Sequence, residues 1–466
     1  MSLIDFVIQT FILLIPSLVL LNQVWLYFLH KKSMKLFSNV QVNGNFPLLS
    51  IIVPTKGEKI ETILGLLDNV KNFKWDLSKI EIIIVSDDSE EFVNELRKAI
   101  AKENVQFNVN VFRRERKLGF KSGALSYGLE RAHGELVITL DVDSRLDPES
   151  IYRAYMRMIS AGCDAVSLKW IGYTSDNSIL AKALLVSTKL GSLTMLLGRH
   201  AAGFNVFPVG SGTLYKKKCL DDVGGWDYRM IQDDLEIGTR LMSKGYKICA
   251  SDSPIFVEVP NNFVSFFIQQ TRWAMGTTEV LKNRFRYILF SKSSIAKKLE
   301  TILYLSQYFP IAFTFITSIF LPFLPFFHVA DPLFSPLFLL WIASVAVYSL
   351  IYIKIAEETN FSLFDSIRSL GKVSAYTVAI SPFITISLIK GFMGKRTYVV
   401  TPKGKVSDPN KKYIKIISII GTIGILFLTG GIFLIVSSYY LVGLWLLYYA
   451  AGYIFTAFSY VKELEC

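Results

Sequence analysis

Two carboxylates stand one residue apart directly after an apolar run in the first half of the chain. The run Leu136–Leu140 is followed by Asp141-Val142-Asp143. Carboxylates that flank one residue at a strand end can hold Mg²⁺ or Mn²⁺, because hard divalent cations prefer oxygen ligands and accept substrate phosphates as the remaining ones. We therefore predict a divalent-cation site at Asp141 and Asp143, with a phosphate-containing ligand beside it.

A second acidic pair lies earlier in the chain. The apolar run Glu81–Ser86 reads as a buried strand and ends in Asp87-Asp88. Ligands of open α/β sheets bind beyond the carboxyl ends of the strands, so we predict that Asp88 accepts a hydrogen bond from a base N–H. The alternative is an aspartate that only forms the turn after the strand.

A third acidic cluster, Gln232-Asp233-Asp234-Leu235-Glu236, opens a predicted helix. An ionised carboxylate within hydrogen-bond reach of a hydroxyl can take its proton, which makes Asp234 the candidate general base. The alternative is that these acids only stabilise the helix N-terminus. Upstream, Gly210, Ser211 and Gly212 are small enough to let the backbone approach a ligand. We predict that they lie near the acceptor, which is the ligand whose hydroxyl loses this proton.

An arginine and a tryptophan stand side by side in Gln269-Gln270-Thr271-Arg272-Trp273, within the predicted amphipathic stretch Asn262–Leu281. A guanidinium can stabilise charge that develops on a diphosphate, and an indole offers a flat apolar face to a sugar ring. We predict these roles for Arg272 and Trp273, respectively. The alternative is that both residues are ordinary anchors at a membrane surface.

The elements that must position these residues follow an α/β pattern. Between about Met34 and Lys298, short β-rich apolar runs alternate with helical stretches, which is typical of a parallel sheet. The predicted strands are Leu49–Pro54, Ile80–Ser86, Val105–Phe112 and Leu136–Leu140, and the helices between them are Glu58–Lys71, Glu90–Lys102 and Lys121–His133.

The composition argues against a single soluble domain. Of the 466 residues, 52% are hydrophobic and 14% aromatic. A soluble protein could not readily bury this much apolar surface. The formal net charge of +12 comes from Lys and Arg beside apolar runs, so we predict a lipid bilayer and no nucleic acid as partner. The four cysteines, Cys163, Cys219, Cys249 and Cys466, and the four histidines have no paired or metal-ligand spacing, which predicts reduced cysteines and no zinc site.

Long apolar runs at both ends predict helices that cross roughly 30 Å of hydrocarbon. The predicted spans are Leu3–Leu29, Leu303–Phe327, Pro332–Ile355, Tyr413–Val436 and Tyr440–Tyr460. A further span at Phe364–Leu388 would place the basic loop 390–412 outside, against the positive-inside tendency, so we predict an interfacial helix pair there. This gives five spans, an outside N-terminus and an inside C-terminus.

The predicted organisation is that of a multi-pass protein of the cell membrane. It has an N-terminal span (1–33), a cytosolic α/β domain (34–261), interfacial helices (262–298) and a C-terminal membrane region (299–466).

Together, these residues resemble the family 2 glycosyltransferases of the GT-A fold, in particular the membrane-integrated branch of cellulose, mannan, chitin and hyaluronan synthases. The resemblance covers about Leu49 to Trp273 and reappears at Tyr398–Lys403, with the motifs in family order. It implies a Rossmann-like cytosolic domain with a mostly parallel sheet. The implied activity is inverting transfer of a sugar from a nucleotide-diphosphate sugar to a growing polysaccharide, which forms β-linkages. A UDP-sugar is the first candidate donor. Translocation of the polymer across the membrane is also implied.

The resemblance also implies roles for single residues. Asp88 would contact uracil, and Asp234 matches the base at the end of the T-E-D motif. The segment Gly119–Leu125 looks like the G-[FY]-K-A-G-A-L element, and Tyr398–Lys403 is similar to the F-x-V-T-x-K gating loop. The donor-binding residues are then Thr55, Glu58, Asp88, Lys121, Asp141, Asp143, Gln269, Arg272, Thr401 and Lys403.

The sequence departs from the family pattern at two places. Gln232-Asp233 replaces T-E before the base, and Pro54-Thr55-Lys56-Gly57-Glu58 stands where the family has P-x-Y-N-E, so Lys56 replaces an aromatic that packs near uracil. The Lys-Gly pair is similar to ceramide glucosyltransferases, which makes transfer of one sugar to a membrane lipid the alternative. A transporter without chemistry is a remote alternative, because the predicted spans carry few ionisable residues. Partner subunits are not predicted.

Overall fold

The computed structural model of the protein describes residues 2–34, 46–394 and 411–465. Within these ranges the strands are β1 (Leu49–Thr55), β2 (Ile80–Ser86), β3 (Asn108–Arg113), β4 (Leu136–Thr139), β5 (Arg145–Leu146), β6 (Ala165–Tyr173), β7 (Thr213–Lys216) and β8 (Ile248–Glu258). They form an eight-stranded sheet in the order β3-β2-β1-β4-β7-β6-β8-β5.

Helices cover both faces of the sheet and continue beyond it to the end of the described chain. They are α1 (Leu3–Lys32), α2 (Ile60–Lys71), α3 (Glu90–Ile100), α4 (Phe120–Leu129), α5 (Ser150–Ser160), α6 (Ile179–Ala201), α7 (Lys217–Val223), α8 (Asp233–Lys244), α9 (Phe263–Leu289), α10 (Ile295–Leu305), α11 (Phe309–Phe327), α12 (Pro336–Glu357), α13 (Leu363–Ala379), α14 (Ser381–Met393), α15 (Lys412–Val436) and α16 (Tyr440–Glu463). A short 3₁₀ turn, Leu77–Lys79, precedes β2.

The sheet is parallel in its first half. β1 pairs in parallel with β2 and with β4, so that Leu49 lies opposite both Ile80 and Leu136. Because the carboxyl ends of parallel strands meet at one edge, the segments that follow β1, β2 and β4 lie together there. Beyond β4 the sheet is mixed, since β7 is antiparallel to β4 and β6 whereas β8 is parallel to β6. The predicted α/β class is confirmed.

Alternating side chains of β1 hold the sheet between two helical layers. Leu49, Ile51 and Val53 pack in one apolar cluster with α2, and Ile52 packs in another with α4. All four side chains are fully buried. Side chains of a strand point alternately to opposite faces, so an apolar run without alternation is what a strand covered on both faces requires. The predicted strand over 49–54 is therefore confirmed. Its continuous apolar run corresponds to a strand that is covered on both faces.

Six described helices are long and apolar enough to cross a membrane: α1, α6, α11, α12, α15 and α16. The helix α6 is not among the five predicted spans. It leaves β6 and returns to β7, and these strands pair in one sheet, so both ends of α6 connect to the same side. Its apolar surface packs against α1 and α12, where the Tyr352 hydroxyl donates to the Ala183 carbonyl at 3.1 Å. We therefore propose that α6 belongs to the sheet unit.

The structure differs from one prediction for the membrane region and contains the helix pair of another. The predicted span Leu303–Phe327 is interrupted, because α10 ends at Leu305 and a new helix begins at Phe309. Pro310 stands in the first turn of that helix, where its missing N–H costs no hydrogen bond. The predicted helix pair over Phe364–Leu388 corresponds to α13 and α14, which are bent by 52° to each other.

Helix α9 lies between the sheet unit and the helices that follow it. Phe263, Phe266 and Phe267 are buried in one apolar cluster with residues of α11, α14, α15 and α16. The apolar residues of the predicted amphipathic stretch therefore face the inside of the protein. Large exposed apolar side chains appear only in the last turns of the helix and directly after it, at Phe285 and Phe290 among others.

The expectation of unpaired cysteines is wrong for Cys163 and Cys249, which form a disulfide with Cα atoms 6.0 Å apart. The two lie 86 residues apart in sequence and meet because β6 and β8 pair, with Ala165 opposite Ile248. Spacing along the chain could not reveal this contact. Cys219 is free and buried, and Cys466 lies outside the described residues.

Replacing Cys163 and Cys249 together by alanine should lower the free energy of unfolding by about 2–4 kcal/mol, because the disulfide closes an 86-residue loop in the unfolded chain. Thermal melts of the detergent-solubilised protein, with and without reductant, measure the effect. The reduced wild type should have the same melting temperature as the double variant. Equal melting temperatures of oxidised wild type and variant would contradict the prediction.

Candidate active site

A cavity of about 560 Å³ lies at the sheet edge where β1, β2 and β4 end. Its walls come from the segments after β1 and β4, the start of α4, the N-terminus of α8 and the middle of α9, with α6 and α10 on the far side. Of the predicted site residues, Thr55, Glu58, Lys121, Asp141, Asp143, Gly210, Asp234, Gln269, Arg272 and Trp273 line it. Residues from stretches more than 200 positions apart thus meet in one cavity.

The Asp141-Val142-Asp143 triplet is held in the wall by the segment before β7. The Ser211 hydroxyl accepts the Asp141 N–H at 3.0 Å, and the Gly212 N–H donates to the Thr139 carbonyl at 2.8 Å. Ser211 and Gly212 therefore lie behind the triplet and do not line the cavity, where only Gly210 of the predicted glycine-rich segment is found. Ser211 is fully buried, and its contact with the acceptor stays a prediction.

Lys121 links the triplet to the neighbouring loop. Its Nζ lies 2.6 Å from Asp141 Oδ1 and donates to the Gly210 carbonyl at 2.8 Å. The residue sits in the first turn of α4, which follows Gly119 in a left-handed conformation with φ of 73°. A cation and a carboxylate pair at the cavity wall suit a ligand that carries phosphate, because the ammonium can contact anionic oxygens while Asp141 and Asp143 offer oxygen ligands to a hard cation.

The predicted base contact Asp88 does not line the cavity. Its Oδ1 accepts the Gly57 N–H at 2.6 Å and its Oδ2 accepts the Ser86 hydroxyl at 2.8 Å. It thereby fixes the loop that brings Thr55 and Glu58 to the wall. The role of Asp88 in binding a base stays a prediction.

The adjacent Asp87 does line the cavity, and sequence reasoning assigned it no role. Its two carboxylate oxygens accept Arg114 Nε and Nη2 at 2.7 and 2.6 Å, in a pair that is almost fully buried. Arg114 also donates to the Leu118 and Phe120 carbonyls at 2.8 and 3.0 Å. The pair therefore ties the end of β2 to the start of α4, and no motif around Arg114 could have revealed it.

Asp234 stands in the first turn of α8 and faces the cavity. Its Oδ1 accepts hydrogen bonds from Gln232 Nε2 at 3.0 Å and from the Leu235 N–H at 2.8 Å. A β-carbon added at Gly210 would lie 3.4 Å from Asp234 Oδ2. The carboxylate is therefore close to the loop whose Gly210 carbonyl accepts a hydrogen bond from Lys121. The free oxygen of a carboxylate in this position can accept a proton from a ligand hydroxyl.

Burial raises the pKa values of both carboxylates at the start of α8. For Asp233, burial outweighs the opposing effect of Lys121 and, with the charges of Asp234 and Asp141, raises the pKa to about 7. For Asp234, burial raises the pKa against hydrogen bonds from the Leu235 N–H and Gln232 and the charge of Lys121. Carboxylates with raised pKa values in a cleft are typical of proton-transfer sites. Asp233 was not predicted as a site residue.

The middle of α9 supplies the opposite wall. Gln269, Arg272 and Trp273 line the cavity, and Gln270 accepts a hydrogen bond from the Tyr308 hydroxyl at 3.0 Å. Trp273 also packs against the apolar cluster of the membrane-region helices. The predicted guanidinium and indole thus face the same cavity as the carboxylates.

The far side of the cavity is apolar and aromatic, which sequence reasoning missed. It is formed by Leu184, Met195 and Leu196 of α6, with Phe207, Tyr304 and Tyr308. These side chains come together only through helix packing, so neither spacing nor composition signals them. The predicted loop residues Thr401 and Lys403 lie outside the described residues.

The chain is similar in sequence to several known proteins. The model of the family described as glycosyl transferase family group 2 matches residues 136–354. A probable glycosyltransferase of Sulfolobus acidocaldarius is 45% identical over the whole of both chains. Glucomannan 4-beta-mannosyltransferase 2 of Arabidopsis thaliana is 24% identical over 54% of this chain and 48% of its own.

The fold has a counterpart among solved structures. A mannosyltransferase of Pyrobaculum calidifontis, solved with GDP-Man and Mn²⁺, superimposes with a TM-score of 0.52 at 16% identity, over 82% of this chain and 99% of that one. At this identity the likeness concerns the fold alone.

Proposed function

The chain belongs to the family 2 glycosyltransferases, and from this premise we propose that it transfers a sugar from a nucleotide-diphosphate sugar to a growing polysaccharide at the membrane, with inversion and a β-linkage. The observation that carries the proposal is the meeting of Asp143, Asp234 and Arg272 in one cavity. A glucomannan mannosyltransferase among the relatives supports a polysaccharide product.

In the proposed mechanism Asp234 takes the proton of the acceptor hydroxyl. The hydroxyl oxygen then attacks the anomeric carbon of an α-linked donor, the bond to the diphosphate breaks, and the product is β-linked. Asp234 suits this role because it faces the cavity at the N-terminus of α8 and Gln232 and the Leu235 N–H fix one of its oxygens.

The donor is proposed to lie between the strand edge and α9. Thr55 and Glu58 face the nucleotide side, while Lys121, Gln269 and Arg272 contact the diphosphate. Asp141 and Asp143 are the residues that would hold Mg²⁺ or Mn²⁺, which when bound would neutralise diphosphate charge. Trp273 offers its ring face to the acceptor sugar, and Thr401 and Lys403 would close over the donor.

The catalytic unit is proposed to lie in the cytosol, where it would bind its nucleotide-sugar donor. The basic residues at the end of α1, Lys31 and Lys32, support this orientation because positive charge favours the cytosolic side. Accessibility of single introduced cysteines to a membrane-impermeant thiol reagent, in a background with Cys219→Ala and Cys466→Ala, tests it.

The purified protein should release nucleoside diphosphate when it is incubated with one of a panel of UDP- and GDP-sugars in the presence of Mg²⁺ or Mn²⁺ and an acceptor. Electrophoresis of the labelled product then separates polymer from single transfer. A ladder or a long polymer supports polysaccharide synthesis. Turnover of no donor under any of these conditions would count against the proposal.

A membrane lipid is the second candidate acceptor, and one observation favours it. The cavity wall formed by Leu184, Met195 and Tyr304 is largely apolar, and Leu184 and Met195 belong to α6, which packs on α1 and α12. Such a wall suits an acceptor with an apolar part. One discrete lipid-soluble product in the same assay supports this candidate.

Exchanging Asp233 for asparagine should move the acidic limb of the pH profile. The base must be ionised, so activity falls as the pH drops through its raised pKa. Asp233→Asn removes a neighbouring negative charge, lowers the pKa of Asp234 and shifts the acidic limb of kcat/KM to lower pH by about half a unit to one unit. A pH series of initial rates measures the shift. An unmoved limb would contradict the assignment of Asp234.

A further inference from the structure

A buried network of charged residues joins α8 to α9 behind the cavity. Arg284 of α9 donates from Nε to Glu236 Oε1 at 2.7 Å and from Nη2 to Asp227 Oδ2 at 2.5 Å. Glu236 belongs to α8, two residues after Asp234, and Asp227 belongs to the segment 224–232 that leads into α8. One guanidinium thus binds two carboxylates, one before and one after the proposed base Asp234 in the sequence.

The segment 224–232 also contacts α4, which carries Lys121. The Ser122 hydroxyl donates to the Met230 carbonyl at 2.9 Å and the Ser126 hydroxyl donates to the Trp226 carbonyl at 2.6 Å. A second contact reaches α9, since Glu279 Oε2 accepts the Ile231 N–H at 2.9 Å. The segment is therefore the common support of the elements that present Lys121, Asp234 and Arg272.

We propose that Arg284 is a positioning residue for sugar transfer: its bridge between Asp227 and Glu236 sets the distance between the base on α8 and the guanidinium and indole on α9. Arg284 does not line the cavity. It acts through Asp234 on one side and Arg272 on the other. A shift of about 1 Å between reacting groups can cost about 100-fold in rate, so a bridge of this kind has a large effect on turnover.

Each carboxylate of the bridge has a second arginine. Arg240 Nε and Nη2 donate to Glu236 Oε1 and Oε2, both at 2.6 Å. Arg229 Nε donates to Asp227 Oδ1 at 2.9 Å. Removal of Arg284 therefore leaves neither carboxylate without a cationic partner, and the large penalty of an unpaired buried charge does not arise. What is lost is the connection between α9 and the two carboxylates.

The inference rests on the proposed function, and its test is the variant Arg284→Met, which keeps much of the side-chain volume without the charge. We expect kcat to fall about 10- to 100-fold, while the KM for the donor and the binding of UDP or GDP with Mn²⁺ stay within about threefold of wild type. Arg284→Lys keeps the charge but contacts one carboxylate at a time, so it should recover part of kcat.

Arg229→Gln is the matched control, because Arg229 contacts Asp227 but is mostly exposed and does not reach α9. It should keep kcat near that of wild type. Wild-type turnover in the same assay tests the proposed function separately. An unchanged kcat in Arg284→Met overturns the inference, and so does a parallel loss of kcat, nucleotide binding and melting temperature, which would mean that the bridge serves only the fold.

Discussion

Asp234→Asn should reduce sugar transfer by about 100- to 10,000-fold and leave donor binding nearly unchanged. Asparagine keeps the size of the side chain and can still accept the Leu235 N–H and the amide of Gln232, which now bond Asp234 Oδ1. It cannot take a proton from the acceptor hydroxyl. Initial rates of nucleoside diphosphate release, together with the dissociation constant of UDP or GDP, measure the two effects separately.

The neighbouring carboxylate provides the control for this variant. Asp233 precedes Asp234 in the same turn and also lines the cavity, so Asp233→Asn changes the same charge at nearly the same place. It should keep at least about a tenth of wild-type turnover at its own pH optimum, since the base is retained. Substantial turnover by Asp234→Asn, or equal losses in both variants, would reject Asp234 as the base.

Asp143→Asn should lower kcat/KM by about 100- to 1,000-fold, mainly through loss of donor binding. An amide is a weaker ligand than a carboxylate for a hard cation, so the variant loses the neutralisation of diphosphate charge. Asp143 is nearly buried in the cavity wall, and its backbone carbonyl accepts the Tyr173 hydroxyl at 2.7 Å. That bond does not involve the carboxylate, so it should persist in the variant.

Binding of UDP or GDP at increasing Mn²⁺ concentration is the informative measurement for Asp143→Asn. Wild-type affinity should rise with Mn²⁺, and the affinity of the variant should rise far less. Asp147→Asn is the control, because Asp147 lies outside the cavity wall and accepts the Glu149 N–H at 3.0 Å, a bond that asparagine can also make. Wild-type Mn²⁺ dependence in Asp143→Asn would contradict the assigned role.

The first half of the sheet could be predicted because its strands are simple apolar runs. β1, β2 and β4 are buried on both faces, so their runs are apolar except at their ends and at Ser50 and Glu81, which hydrogen-bond to each other. β8 could not be found in this way, since Ser251, Asp252 and Ser253 break its pattern and it pairs in parallel with β6 at a shifted register. Its position follows from the sheet as a whole.

The membrane region was predicted from hydropathy and from the positive charge of the flanking segments, and α6 shows where hydropathy is ambiguous. α6 is as apolar as a span because it is packed between the sheet and the neighbouring helices, where apolar surface is equally stabilised. Hydropathy does not distinguish these two surroundings. The pairing of β6 with β7 supports the proposed place of α6 in the sheet unit, because it returns both ends of α6 to one sheet.

The polar half of the site was predictable, and the apolar half was not. Asp141, Asp143 and Asp234 follow from strand ends and a helix start, positions that the sequence marks by itself. Phe207 and Tyr304 reach the cavity through packing of helices and loops distant in sequence. Ser211 shows the opposite case, since its type and setting suggest a ligand contact but its hydroxyl is used to hold Asp141.

A crystal structure of the chain with UDP or GDP and Mn²⁺ tests the central claim most directly, with anomalous scattering to locate the metal. The account predicts a Mn²⁺ peak beside Asp143, a diphosphate between it and Arg272, and the Asp234 carboxylate facing the space where the sugar would lie. A nucleotide bound elsewhere, or a diphosphate with Asp234 turned away from it, would contradict the account.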